Sequence, residues 1–213
     1  MAGPEALSQR CGNSPTHSAV TRGWRGRRRA VACDQMPAPI IAAYEPYGDD
    51  RAPVSLALAM AELSDAPVIA ATVYPWPASD PPANGYAFVS EAMRWLEDDL
   101  GVQTRIVHDT SAPRGLHELA RDERAGLIVV GSTNRGRAGR VFVGSTALRV
   151  LQGAPCPVAV APWSYRPQPL KTIAVGFVDS PEGRAALATA HALAALAGAL
   201  LHVIAALPPP RGL

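Results

Sequence analysis

Cysteine is nearly missing from this chain: its 213 residues hold three, Cys11, Cys33 and Cys156. They form no C-x-x-C pair and keep no zinc-like spacing with histidines, so neither a disulfide framework nor a structural metal site is expected. A reducing cytoplasm is the expected compartment. Aromatic residues are scarce at 6%, yet the apolar total of 48% is ample for a packed core. No apolar run approaches the roughly 18 residues of a membrane-spanning helix, so no membrane segment is expected. A strong charge of one sign is missing too. The formal net charge is +2. Residues 1–35 carry Arg10, Arg22, Arg25, Arg27, Arg28 and Arg29 against Glu5 and Asp34, six minus two, leaving 2 − 4 = −2 for the rest. The basic excess belongs to the leading segment, and nucleic-acid binding by the remainder is not expected.

That leading segment, 1–37, has no apolar periodicity and reads as a disordered basic tail. Its "RGRRRAVAC" has the look of an export signal, but such signals need a 7–15-residue apolar core. Only Ala30, Val31 and Ala32 stand there, so export is not expected. Met36 lies just ahead of the first strand-like run, and the tail is expected to have no structural role.

From residue 38 short apolar runs alternate with helical stretches. "PIIAAY" (39–44), "APVIAATVY" (66–74), "QTRIVHD" (103–109), "AGLIVVGS" (125–132) and "PVAVAP" (157–162) read as strands. Between them fall four helical stretches. One is Ala/Leu-rich (50–64), and a second puts Tyr86, Val89, Met93 and Leu96 on one face. The others are "PRGLHELARDE" and "GSTALRVLQG". Strands without polar alternation, each followed by a helix, predict a parallel sheet covered on both faces, an α/β fold. After "WSYRPQP" (163–169), read as a linker, the pattern restarts at an offset of roughly 133 residues and stops after strand, helix and strand. The expected organisation is therefore a tail (1–37), a complete domain (38–162), a linker (163–169) and an incomplete second repeat (170–213).

The segment "VVGSTNRGRAGRVFVGST" (129–146) carries the chemistry. Gly131-x4-Gly136 matches the opening of a phosphate-binding P-loop, but Arg137 and Ala138 stand where that loop needs lysine and a hydroxyl. What remains is a strand end, a loop with Arg135, Arg137 and Arg140, and Gly144-Ser145-Thr146 opening a helix. Glycines let backbone N–H groups approach an anion, and Ser145 offers a capping hydroxyl. Taken alone, these residues are equally a pocket for negative charge and a solvated arginine-rich turn.

The spacing Gly131-x2-Asn134-x9-Gly144-Ser145 resembles the G-x2-G-x9-G-[S/T] nucleotide loop of the universal stress protein family. "LIVVGS" and "GAPCPVAVAP" are similar to that family's fourth and fifth strands. The resemblance covers residues 38–213. It implies a Rossmann-like, nucleotide-binding α-hydrolase-like fold with a five-stranded parallel sheet in order 3-2-1-4-5. It also implies, as in many members, ATP with or without magnesium. By the resemblance, Glu45 takes the place of an aspartate at the end of strand 1 and Val73 that of a valine in strand 2, both beside the adenosine. Gly131, Asn134, Gly144 and Ser145 would hold the phosphates. Glu45 is one methylene longer than the family's residue, and Asn134 replaces a glycine. In the second repeat Val178 stands at the acid position and no glycine loop follows, so that half is expected to bind nothing.

No catalytic or metal-binding set emerges. His117 reads as a solvated surface histidine, His202 as a sheet histidine, and Cys156 as packing at the start of strand 5. His108 and Asp109 have no nucleophile spaced to pair with them. Asp98 and Asp99 belong to a helix end. An ATP pyrophosphatase of related fold would need a Ser-Gly-Gly-x-Asp-Ser loop after strand 1, which "YEPYGDD" lacks. The expectation is a cytoplasmic, non-enzymatic stress-response module that binds an adenine nucleotide without efficient turnover. The alternative is a nucleotide-free member acting as a protein-interaction module. Strand 157–161 should be a sheet edge through which two chains pair as a homodimer.

Overall fold

The computed structural model describes residues 37–48, 50–75, 83–133 and 143–205. The tail up to Met36, most of the Pro-rich loop, Asn134 with Arg135, Arg137 and Arg140, and the last eight residues lie outside the described residues. The elements run β1 (Ile40–Ala43), α1 (Ala52–Ser64), β2 (Val68–Tyr74), α2 (Ala83–Leu100), β3 (Gln103–His108), α3 (Ala112–Asp122) and β4 (Leu127–Gly131). After these come α4 (Ser145–Leu151), β5 (Val158–Ala161), β6 (Thr172–Phe177), α5 (Pro181–Ala197) and β7 (Leu200–Ala205). Every one coincides with a run singled out in the sequence.

The first five strands form one parallel sheet in the order β3-β2-β1-β4-β5, as expected. Alternate residues of the central strands point to opposite faces, and both faces are apolar. On one face Ile40, Ala42, Ala70 and Val129 pack against Val54 and Ala57 of α1 and Val89, Met93 and Leu96 of α2. On the other, Ile41, Ile69, Ile128 and Val130 pack against Leu116 and Ala120 of α3 and Ala147 and Val150 of α4. Burying each large aliphatic side chain contributes about 1.5–3 kcal/mol, which explains why the central strands β1, β2 and β4 carry no polar alternation.

Two local features shape the end of the sheet where the strands finish. Pro53 sits within the first turn of α1, where its missing N–H has no helical partner to lose. Gly115 lets α3 lie close on the sheet: a Cβ there would stand 3.1 Å from methyls of both Val73 and Val107.

Strands β6 and β7 form their own two-stranded parallel sheet. Its register repeats that of the first pair. Ile40 lies beside Val68, and 68 − 40 = 28; Thr172 lies beside Leu200, and 200 − 172 = 28. Helix α5 is capped at both ends. The Ser180 side chain accepts from the Gly183 N–H at 3.1 Å, and Gly198 closes the helix with φ 63°. Helix α5 covers one face of this small sheet. Leu200 and Ile204 on the other are 62% and 61% exposed.

The stretch 163–169 is not a free connector along its whole length. Trp163 and Ser164 donate backbone hydrogen bonds to Ser132 and Asp50, and Tyr165 packs on the first apolar cluster.

Candidate functional site

In this order β1 has β2 on one side and β4 on the other, so the chain leaves their carboxyl ends in diverging directions. Open α/β sheets have a crevice at that switch point. Here it is a cleft of about 300 Å³. Its floor is apolar, with Ala43, Ala71, Val73 and Val130 from the strands, Leu116 from α3 and Ala147 from α4. Its rim carries Glu45, Asp50, Ser132, Thr146 and Trp163.

Three of the six residues singled out in the sequence line this cleft: Glu45, Val73 and Gly131. Gly144 lies against β4's exit, since a Cβ on it would stand 2.7 Å from the Thr133 methyl. The two ends of the glycine loop therefore meet at one place. Ser145 is exposed and does not line the cleft; its neighbours Thr146 and Ala147 do. The expected capping hydroxyl is corrected: Gly144 is the N-cap of α4, no side chain caps it, and Ser145 is already the first helical residue. Asn134 lies outside the described residues.

Glu45 is folded onto its own turn. Its Oε1 accepts from the Tyr47 N–H at 3.4 Å, and its carbonyl accepts from the Gly48 N–H at 3.0 Å. The carboxylate thus bonds its own turn while lining the cleft. Asp50 is committed more firmly. Its Oδ1 accepts from Ala52 N–H at 3.1 Å, in the first turn of α1, and from Ser164 N–H at 3.2 Å. Among the described lining residues these are two carboxylates, with no lysine or arginine.

Asp109 is not available to the cleft, because Arg114 grips both of its oxygens at 2.7 Å and the Ser111 N–H adds a third bond at 2.7 Å. The Arg114 hydrogen bonds, then that N–H, hold its carboxyl below the usual carboxylate range. The His108 ring stacks on Tyr86 at 5.7 Å and meets Tyr74 edge-on at 6.4 Å. His117 is not a solvated histidine: its Nε2 lies 2.8 Å from the Val150 carbonyl, joining α3 to α4, and the ring is half-buried. Cys156 precedes β5, packs against the second apolar cluster, and has its thiol pushed up by burial. His202 is exposed on the open side of β7.

Residues 36–162 match the family model described as the universal stress protein family. A universal stress protein of Mycobacterium tuberculosis strain H37Rv is 37% identical over 83 residues, which are 38% of this chain and 28% of that protein. The match thus spans little more than a quarter of that curated relative's length. The crystal structure of a putative universal stress protein from Pseudomonas aeruginosa is 19% identical with a TM-score of 0.59, covering 81% of this chain and 63% of that one. This is a likeness of fold. A universal stress protein from Archaeoglobus fulgidus in complex with dAMP is 20% identical with a TM-score of 0.47, covering 60% of this chain and 99% of that one. The family model covers well over half of this sequence, on the five-stranded unit that holds the cleft, and the chain belongs to the universal stress protein family.

Proposed function

We propose that the cleft at the β1/β4 switch point binds an adenine nucleotide, ATP by the family resemblance, and that the protein works as a ligand-responsive regulatory module. The observation that carries this reading is the cleft itself, an apolar floor of suitable size with a polar rim at the carboxyl ends of the strands. We assign Glu45 and Val73, which both line the cleft, to the adenosine moiety. Gly131, Asn134, Gly144 and Ser145, with the loop between them, are the residues we assign to the phosphates. Binding without efficient turnover fits the rim. Glu45 is tied to its own turn and Asp50 to two backbone N–H groups, so neither is presented as a base beside a nucleophile.

The proposal includes a cytoplasmic location, in keeping with Cys156 as a free thiol. It includes the reading of 170–213 as belonging to a second repeat, supported by the repeated register of 28 residues. It also includes a homodimer through β5, which among the described residues pairs with β4 alone and ends the sheet.

A second reading, a nucleotide-free interaction module, is favoured by the two rim carboxylates, which oppose a polyphosphate. One experiment decides between them. The purified full chain is denatured and analysed by mass spectrometry for a retained nucleotide, then titrated calorimetrically with ATP. An adenine nucleotide in the first measurement or saturable binding in the second supports the site. Absence of both leaves the interaction module.

A further inference from the structure

This inference rests on the cleft being a nucleotide site and adds a residue to it. We infer that Trp163 contacts the ligand, its indole covering the uncharged nucleoside end, and that Asp50 and Ser132 act as positioning residues by holding the turn that presents it.

Trp163 lies two residues beyond β5 in a turn closed by the Tyr165 N–H donating to the Pro162 carbonyl at 3.0 Å. The next residue, Ser164, has φ 56°, a left-handed conformation that costs a side-chain-bearing residue about 1–2 kcal/mol. Two other described non-glycine residues share it, Asp65 and Arg124. Both follow helices, where a left-handed residue is the common ending. Ser164 ends no helix. What holds it is a pair of hydrogen bonds from consecutive backbone N–H groups to two residues that line the cleft from different elements. Trp163 N–H donates to Ser132 Oγ at 2.8 Å, at the exit of β4, and Ser164 N–H donates to Asp50 Oδ1 at 3.2 Å, at the start of α1. Ser132 is itself buried, and its N–H donates to the Ala161 carbonyl at 2.8 Å.

The turn thus ties the end of β5 to the exit of β4 and the start of α1 and sets Trp163 at the cleft, which it lines while remaining 43% exposed. A large, partly exposed aromatic at a cleft is suited to stacking on a flat or sugar-like surface. The charges nearby decide which part of a nucleotide that is. Glu45 and Asp50 share the rim with Trp163, and no described lining residue is cationic. Phosphates are therefore disfavoured beside the indole, and the base and ribose fit.

The test is calorimetric titration of the full chain with adenosine, AMP and ATP, comparing wild type with W163A, W163F, D50A and D50N, with the melting temperature of each free protein measured alongside. W163A is expected to weaken all three ligands to the same degree, about tenfold, the scale of base–aromatic stacking. W163F keeps an aromatic face and stays within about threefold of wild type. For adenosine, which carries no phosphate, D50N keeps the acceptor oxygen and binds like wild type, while D50A approaches W163A. The inference fails if W163A binds as wild type does, or if its loss is confined to ATP, or if W163F is as impaired as W163A. A wild-type chain that binds none of the three ligands overturns the reading of the cleft, and this inference with it. Wild-type binding with an unaffected W163A overturns the inference alone.

Discussion

The chain contains two strand–helix–strand units of the same register, β1-α1-β2 and β6-α5-β7, and they meet different fates. In the first, Ile41 and Ala71 point away from α1 and are closed over by α3 and α4, leaving them 0% and 1% exposed. In the second, Ala174, His202 and Ile204 point away from α5 into open surroundings. The local signals are at least as good in the second copy, whose helix has a side-chain N-cap and a glycine C-cap, whereas α1 has no side-chain cap. Helix formation and strand pairing are therefore local properties, while a core and a cleft need both sheet faces covered. Glu45 lines a cleft because β4 and α4 stand beside β1; Val178, at the matching position, is 65% exposed.

Amide hydrogen exchange should separate the two units most widely. Exchange through local opening ranges from almost no protection up to the global stability. The amides of β1 and β4 should exchange only with global unfolding, and those of β6 and β7 orders of magnitude faster. Equal protection in both sheets would mean that something covers the open face of β6 and β7 in solution.

A paired substitution gives the next largest effect. Ile41→Ala removes a side chain that is 0% exposed and should cost about 2–5 kcal/mol in chemical denaturation. Ile204→Ala, at a 61% exposed position, should stay within about 0.5 kcal/mol. A costly Ile204→Ala would again reveal a hidden partner for that face.

The strands were legible because a parallel sheet buried on both faces leaves unbroken apolar runs such as Ile40-Ile41-Ala42-Ala43. The glycine loop was legible because its two ends lie close along the chain. Ser145 was misread as a cap because spacing places a hydroxyl to within a residue, and capping geometry turns on that residue. His117 was misread because its partner, the Val150 carbonyl, is a backbone atom 33 residues away. Asp50 and Trp163 were missed for the same reason: Asp50 reaches Ser164 across 114 residues, through main-chain N–H groups that carry no side-chain signature. The one available hint was an aspartate just ahead of a helix with proline in its first turn, a common place for a side chain to accept from backbone N–H groups.

The smallest effect concerns a motif found once beside each sheet, at the β3–α3 and β6–α5 junctions: an aspartate after the strand gripping an arginine five residues on. The Asp109 side chain is 5% exposed and that of Asp179 is 73% exposed. An exposed pair is screened by water and contributes little, so Asp179→Asn should leave the melting temperature at pH 7 nearly unchanged. Asp109→Asn should lower it by several degrees, because Arg114 and the Ser111 N–H lose a charged acceptor. The sign of the pH dependence follows from the Asp109 carboxyl being held below the usual carboxylate range. Its stabilising contribution is complete above the unfolded value of about 3.9 and is lost as pH falls through the lower folded value. The gap in melting temperature between wild type and Asp109→Asn should therefore be widest near neutral pH and narrow on acidification below about pH 4. A gap that holds constant down to the lowest pH at which the protein still folds would mean that the carboxylate's charge is not what steadies the β3–α3 junction.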